Sequence, residues 1–157
     1  MIDDRALCER FPMEWADRMW GLNDPDEAPE SPAKRRVMTA AGMVVCAECP
    51  IRMRCLADAI VNPERHGIRG GLGRLPRQRL GTMARAAGLD MSKRSAVIDV
   101  ARWLSDNPGL IGLARDAEAK GRADRRRREA ERLQEDRTNA SRRRGGEPNG
   151  SQGELNI

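Results

Sequence analysis

Four cysteines are the residues of this chain whose types and spacing could do chemistry together: Cys8, then Cys46-Ala-Glu-Cys49 and, after five intervening residues, Cys55. Two residues between Cys46 and Cys49 put both sulfurs on one side of a helical turn or knuckle. Pro50 redirects the backbone, and the residues after it are enough to bring Cys55 back beside the pair, with Cys8 closing the set from a distance. Thiolates are soft ligands suited to zinc or to an iron–sulfur cluster, and both commonly take four of them. Zinc sites built from distant ligands usually read as two C-x-x-C knuckles, whereas here there is one knuckle and two unequally spaced cysteines, which leans toward a cluster with zinc as the alternative. Disulfides in any of three pairings, or four unrelated buried thiols, are the plainer readings. A thiol–disulfide oxidoreductase using Cys46 and Cys49 would need a strand-rich context that the pattern does not offer. His66 stands beside a turn and, with four thiols already filling a site, reads as a solvated or hydrogen-bonded residue.

The elements that must position these cysteines have little with which to build a core. Aromatics make up 3% of the 157 residues, with no Tyr and one Phe, while 34% are charged. A small domain of this kind gains much from a bound metal or cluster that adds binding free energy to folding. No apolar run is long enough to span a bilayer, and Met1-Ile-Asp-Asp-Arg is acidic where a signal peptide would be basic. The expected location is the cytoplasm, where thiols stay reduced, with no membrane partner.

Phe11, Trp15 and Trp20 are spaced loosely as on a helix and read as packing residues; an acidic, Pro-broken loop at Asp24–Pro29 then separates Cys8 from the other cysteines. Ser31-Pro32 is a helix start, followed by an inward stripe of Val37, Ala40, Ala41, Val44 and Val45, and this helix delivers Cys46 and Cys49 from its end. A second helix from about Ile51 to Val61 presents Cys55, Leu56, Ala59 and Ile60 and stops at Asn62-Pro63. Glycines 67, 70, 71 and 73 mark a tight reversal, and as a phosphate loop the stretch is weak because no Lys-Ser/Thr follows it. Pro76 opens a third helix carrying Leu80, Met83, Ala84 and Ala87; a fourth is expected over about Ser95–Asp106, and residues 95–120 could pair as a helical hairpin.

Charge is distributed unevenly along the chain. Residues 1–30 carry a net of −6, residues 31–94 a net of +9 and residues 115–144 a net of +5. A basic middle and tail beside an acidic front suggest a polyanionic partner, most often nucleic acid. Arg125, Arg126, Arg127 and Arg128, then Arg142, Arg143 and Arg144, are the expected DNA contacts, made to phosphates with little sequence choice. The first block can continue as an exposed helix with acid–base pairs, and the Gly/Asn/Ser-rich end is expected to be disordered.

Together, Cys8, Cys46-x-x-Cys49-Pro50, Cys55-Leu56, Gly67-Ile68-Arg69-Gly70-Gly71 and the basic helix after them resemble the WhiB-like proteins of actinobacteria and their phages, small iron–sulfur regulators of transcription. The resemblance covers residues 1 to about 88. It implies an all-α fold in which Cys8, Cys46, Cys49 and Cys55 bind a [4Fe-4S] cluster. It further implies that Gly67, Ile68, Arg69, Gly70 and Gly71 form the surface used against the primary sigma factor of RNA polymerase, and that basic residues downstream touch DNA. The family's turn carries Trp where this chain has Arg69, so the aromatic anchor of that surface is absent. Arg52 and Arg54, inside the cysteine segment, could offset the cluster's negative charge or serve as plain surface charge. The expected organisation is a cluster-binding domain at 1–88, a helical extension at 89–119 and a basic, partly disordered or partly helical tail at 120–157. The expected function is a redox- or nitric-oxide-responsive regulator rather than an enzyme, with a zinc-stapled interaction module as the alternative.

Overall fold

A computed structural model of the chain describes residues 5–21 and 31–144. The acidic loop at Asp24–Pro29 and the chain after Arg144, expected to be disordered, lie outside the described residues. The described residues form a short 3-10 helix, Leu7–Arg10, and six α-helices: α1 (Met13–Trp20), α2 (Pro32–Ala47), α3 (Arg52–Val61), α4 (Arg74–Ala86), α5 (Ala96–Asp106) and α6 (Gly109–Arg144). Among them there is no strand, only an isolated antiparallel bridge between Arg69 and Leu72. The architecture is all-α.

The chain divides into two compact units, Met1–Glu118 and Ala119–Ile157. In the first, Leu56, Ala57 and Ile60 of α3 share a core with Leu72, Leu80 of α4, Val100 and Leu104 of α5, and Ile111 and Ala114 at the start of α6. The apolar faces of α3 and α5 match because each repeats at helical spacing, which turns one stripe toward the other. In the second unit the described residues are the remainder of α6, where arginines pair with acids one turn away: Arg127 with Asp124 (3.5 Å) and Glu131 (3.8 Å), and Arg132 with Glu129 (3.1 Å). The helix expected after Leu110 continues through the first arginine block as an exposed helix with acid–base pairs and runs to Arg144.

The start of α2 follows the local rule: the Lys34 amide donates to Ser31 Oγ at 3.4 Å, with Pro32 in the first turn. The inward face of α2 does not follow the expected stripe. Val37 and Val44 are 68% and 65% exposed, and the buried residue of the helix is Gly42. At Gly42 a Cβ would lie 2.7 Å from the Met19 carbonyl oxygen, so α1 seats on the one position of α2 where its backbone can come that close. Close backbone approach, rather than the largest apolar side chains, selects the face. The third helix begins two residues before Pro76, at Arg74, because the first helical amides need no carbonyl partner and Pro76 is accommodated in the first turn.

Candidate metal centre

Cys8 comes from the 3-10 helix, Cys46 from the end of α2, Cys49 from the link after it and Cys55 from the first turn of α3. The link between Cys46 and Cys55 is a run of tight turns in which the Cys49 amide donates to the Cys46 carbonyl (3.3 Å) and the Arg52 amide to the Cys49 carbonyl (3.1 Å). All four thiols line one almost wholly apolar cavity of about 30 Å³, with Ala6, Val45 and Ile51 among its walls. None of them is in a disulfide, and each is half-buried. Among the described residues no three His, Cys, Asp or Glu side chains form a group that could hold a single metal ion. The sulfurs stand around a cavity instead. Burial pushes the Cys8 thiol above its ordinary value, and the sulfurs of Cys55, Cys46 and Cys49 add to the shift. Burial also raises the Cys46 thiol, opposed by hydrogen bonds from Trp20 and the Gly71 amide. The donor set fits a cluster held by four thiolates, and taking one up would release the thiol protons.

Trp20 ties the site together, a part that its spacing alone, read as packing, did not disclose. Its indole N–H donates to Cys46 Sγ at 3.2 Å, its carbonyl accepts from the Ile68 amide at 2.8 Å, and its ring meets Phe11 edge-on at 5.8 Å. One residue thus joins the Cys8 segment, the end of α2 and the glycine turn. Trp15, by contrast, is 44% exposed.

The turn itself is held by arginines. Arg77, 2% exposed, places Nη1 against the carbonyls of Gly67 (2.7 Å) and Leu72 (2.8 Å) and Nη2 against those of Glu64 (3.0 Å) and His66 (3.4 Å). A buried guanidinium is tolerated because its planar donors meet carbonyl oxygens rather than an apolar wall. Arg52 Nε donates to the Gly70 carbonyl at 3.2 Å and Arg115 Nη2 to that of Gly71 at 3.0 Å. No sequence pattern singles out Arg77 or Arg115 from the other arginines. The glycines are required by conformation: Gly70 and Gly71 have φ of 57° and 79°, and a Cβ on Gly70 would sit 2.8 Å from Leu56 Cβ.

Residues 5–80 match the family model described as transcription factor WhiB. Over that stretch the chain is WhiB-like. Neither a curated protein nor a solved structure matches it. Proteins of the WhiB family are transcription factors rather than enzymes, and carry four cysteines for an iron–sulfur cluster; this WhiB-like chain has four, and they meet at one cavity. Among the described residues no helix is long and apolar enough to cross a membrane.

Arg69, where the family turn was expected to carry Trp, turns back onto its own domain. Its Nη1 lies 3.1 and 3.2 Å from the two Glu64 carboxylate oxygens and its Nη2 3.3 Å from Asp58 Oδ2. Burial works to lower the guanidinium, but the nearby Cys55 sulfur and the charges of Glu64 and Asp58 outweigh that and leave it raised. Beside it, an open groove of about 720 Å³ runs past Cys8 and Cys55 and is lined by Arg54, Arg69 and Arg94 together with Ile98. Arg125, Arg126, Arg127 and Arg128 are exposed on α6, as are Arg142 and Arg143.

Proposed function

We propose that this WhiB-like chain is a redox- or nitric-oxide-responsive regulator whose Cys8, Cys46, Cys49 and Cys55 hold a [4Fe-4S] cluster. The observation that carries the reading is the meeting of these four thiols, from the 3-10 helix, α2, the link after it and α3, at one apolar cavity. When bound, the cluster supplies electron exchange and reactivity toward oxygen and nitric oxide. The chain's own residues supply the rest. Cys8 joins the N-terminal segment to α2 and α3, Trp20 orients the Cys46 sulfur, and the Gly71 amide faces the same atom. Loss of the shared ligand leaves that corner tied by hydrogen bonds and side-chain packing without a covalent cross-link, so a chemical signal at the cysteines becomes loosening at Trp20 and, through its bond to Ile68, at the turn.

That turn, Gly67–Gly71, is the surface we assign to the primary sigma factor. With Arg69 engaged by Asp58 and Glu64 rather than projecting, sigma-factor affinity is weak unless a mutation frees the position. In a pull-down with the sigma factor, Arg69→Trp strengthens capture; equal capture shows that the missing aromatic was not limiting. Exposed arginines at 125–128 and 142–143 form the phosphate-contacting face for promoter DNA, acting in the cytoplasm. Deleting residues 120–157 reduces DNA binding and its salt slope, and unchanged binding rejects the tail's role.

The decisive experiment is anaerobic purification of the full chain. A brown protein with broad visible absorbance, four irons per chain and bleaching by nitric oxide supports the cluster. Colourless protein with stoichiometric zinc, and no cluster on reconstitution, sinks it in favour of a zinc-stapled interaction module.

A further inference from the structure

Arg69 begins from a fixed backbone. Its amide and carbonyl are both bonded to Leu72 at 3.0 Å, the preceding Ile68 amide is bonded to Trp20, and the following Gly70 presses against Leu56, the residue next to Cys55. From there its guanidinium reaches the carboxylates of Glu64 and Asp58. Asp58 lies three residues after Cys55, one turn along the same face of α3, and its other oxygen is held by Asn62 Nδ2 at 3.0 Å. Cys55, Asp58 and Arg69 all line the groove that runs past the cavity. A guanidinium has five N–H donors in one plane, so its two carboxylate contacts leave donors free for the neighbouring sulfur. Arg69 is partly buried, its side chain 34% exposed against 68% for Arg127 and Arg132 of α6, so its charge is screened less than theirs although Glu64 itself is exposed.

We propose that Arg69 is a positioning residue for the cluster: held by Asp58 and Glu64 beside Cys55, it sets the local charge at that ligand and thereby the cluster's readiness to accept an electron. The proposal rests on the iron–sulfur reading above. Reduction adds negative charge, so a cation at this place favours the reduced state and the two carboxylates oppose it. Arg69 and Asp58 are partners in one ion pair yet act on the cluster with opposite sign.

That opposition supplies the test. The midpoint potential and the electron paramagnetic resonance of the reduced form are measured on the anaerobically loaded full chain and on Arg69→Gln, Arg69→Lys and Asp58→Asn. Arg69→Gln is expected to lower the reduction equilibrium constant by about tenfold, ~59 mV more negative for a one-electron couple. Arg69→Lys keeps the charge and stays near the native potential, while Asp58→Asn moves it upward. A purely structural ion pair would shift Arg69→Gln and Asp58→Asn in the same direction, and that result, or no shift in either, overturns the proposal. Should Arg69→Gln take up no cluster, Asp58→Asn decides alone: an upward shift supports the proposal, and no shift or a downward one overturns it. A native chain that binds no iron under the same conditions overturns the iron–sulfur reading and this proposal with it. A native chain that is loaded but shows equal potentials across the variants overturns only the latter.

Discussion

Around Gly67–Gly71 arginines reach inward for backbone carbonyls, whereas in the part of α6 beyond Glu118 they stand in solvent beside their own helical neighbours. Arg77, Arg52 and Arg115 together satisfy carbonyls of Glu64, His66, Gly67, Gly70, Gly71 and Leu72. Arg127 and Arg132 pair with acids three or four residues away, with two-thirds of their side chains exposed. The same residue type is therefore structural in one region and available to a partner in the other. What separates the two is whether a tight turn leaves carbonyls without amide partners nearby, as it does for all of these but Leu72, whose carbonyl also accepts from the Arg69 amide. A regular helix satisfies its own backbone and leaves its arginines to solvent, while an irregular turn recruits them.

Four experiments would sharpen or break this contrast. Arg77→Met removes the donors under the turn and leaves buried carbonyls unpaired, so unfolding in urea should show a loss of about 3 kcal/mol. A loss below about 1 kcal/mol would mean that the turn holds itself. Gly70→Ala forces a left-handed residue with a Cβ against Leu56, and about 2 kcal/mol of destabilisation is expected in the same melt. In cluster-free, reduced protein, the raised Cys8 and Cys46 thiols make stability depend on pH. Because the folded state binds those protons more tightly than the unfolded one, stability is full below the unfolded value of 9.0 and declines as pH rises through the higher folded values. The decline is shallow because both side chains are partly solvated, and a rise in melting temperature above pH 9 would contradict the burial of these thiols. Finally, Arg126→Gln with Arg127→Gln should change stability by no more than about 0.5 kcal/mol while lowering the salt slope of DNA binding by about 1 for each phosphate no longer neutralised. A large stability loss there would remove the contrast between the two regions.

The family match ends at residue 80, yet the core of the first unit is completed by Val100, Leu104, Ile111 and Ala114. Residues 96–114 thus belong to the packing that carries the cysteines, which their apolar spacing hinted at only as a local hairpin. Local spacing can show that a helix has an apolar face but not which other helix covers it.

Cysteine spacing, the Ser31-Pro32 helix start, the Leu56/Ile60 face and the glycine reversal were all legible in the sequence because each depends on residues within a few positions of one another. Helix periodicity, capping and positive φ are local requirements, and a two-residue gap between thiols is a local geometry. The exposed Val37 and Val44, the seat of α1 on Gly42, and the Trp20 bond to Cys46 were decided only by tertiary structure. Each depends on how closely a chain segment distant in sequence can approach, and a glycine scores as nothing in a hydrophobic pattern although it permits the closest approach. For the same reason Arg69 reads from sequence as a lost anchor and in the fold as a cation held beside Cys55: its acids lie five and eleven residues before it, and only the turn brings all four groups together.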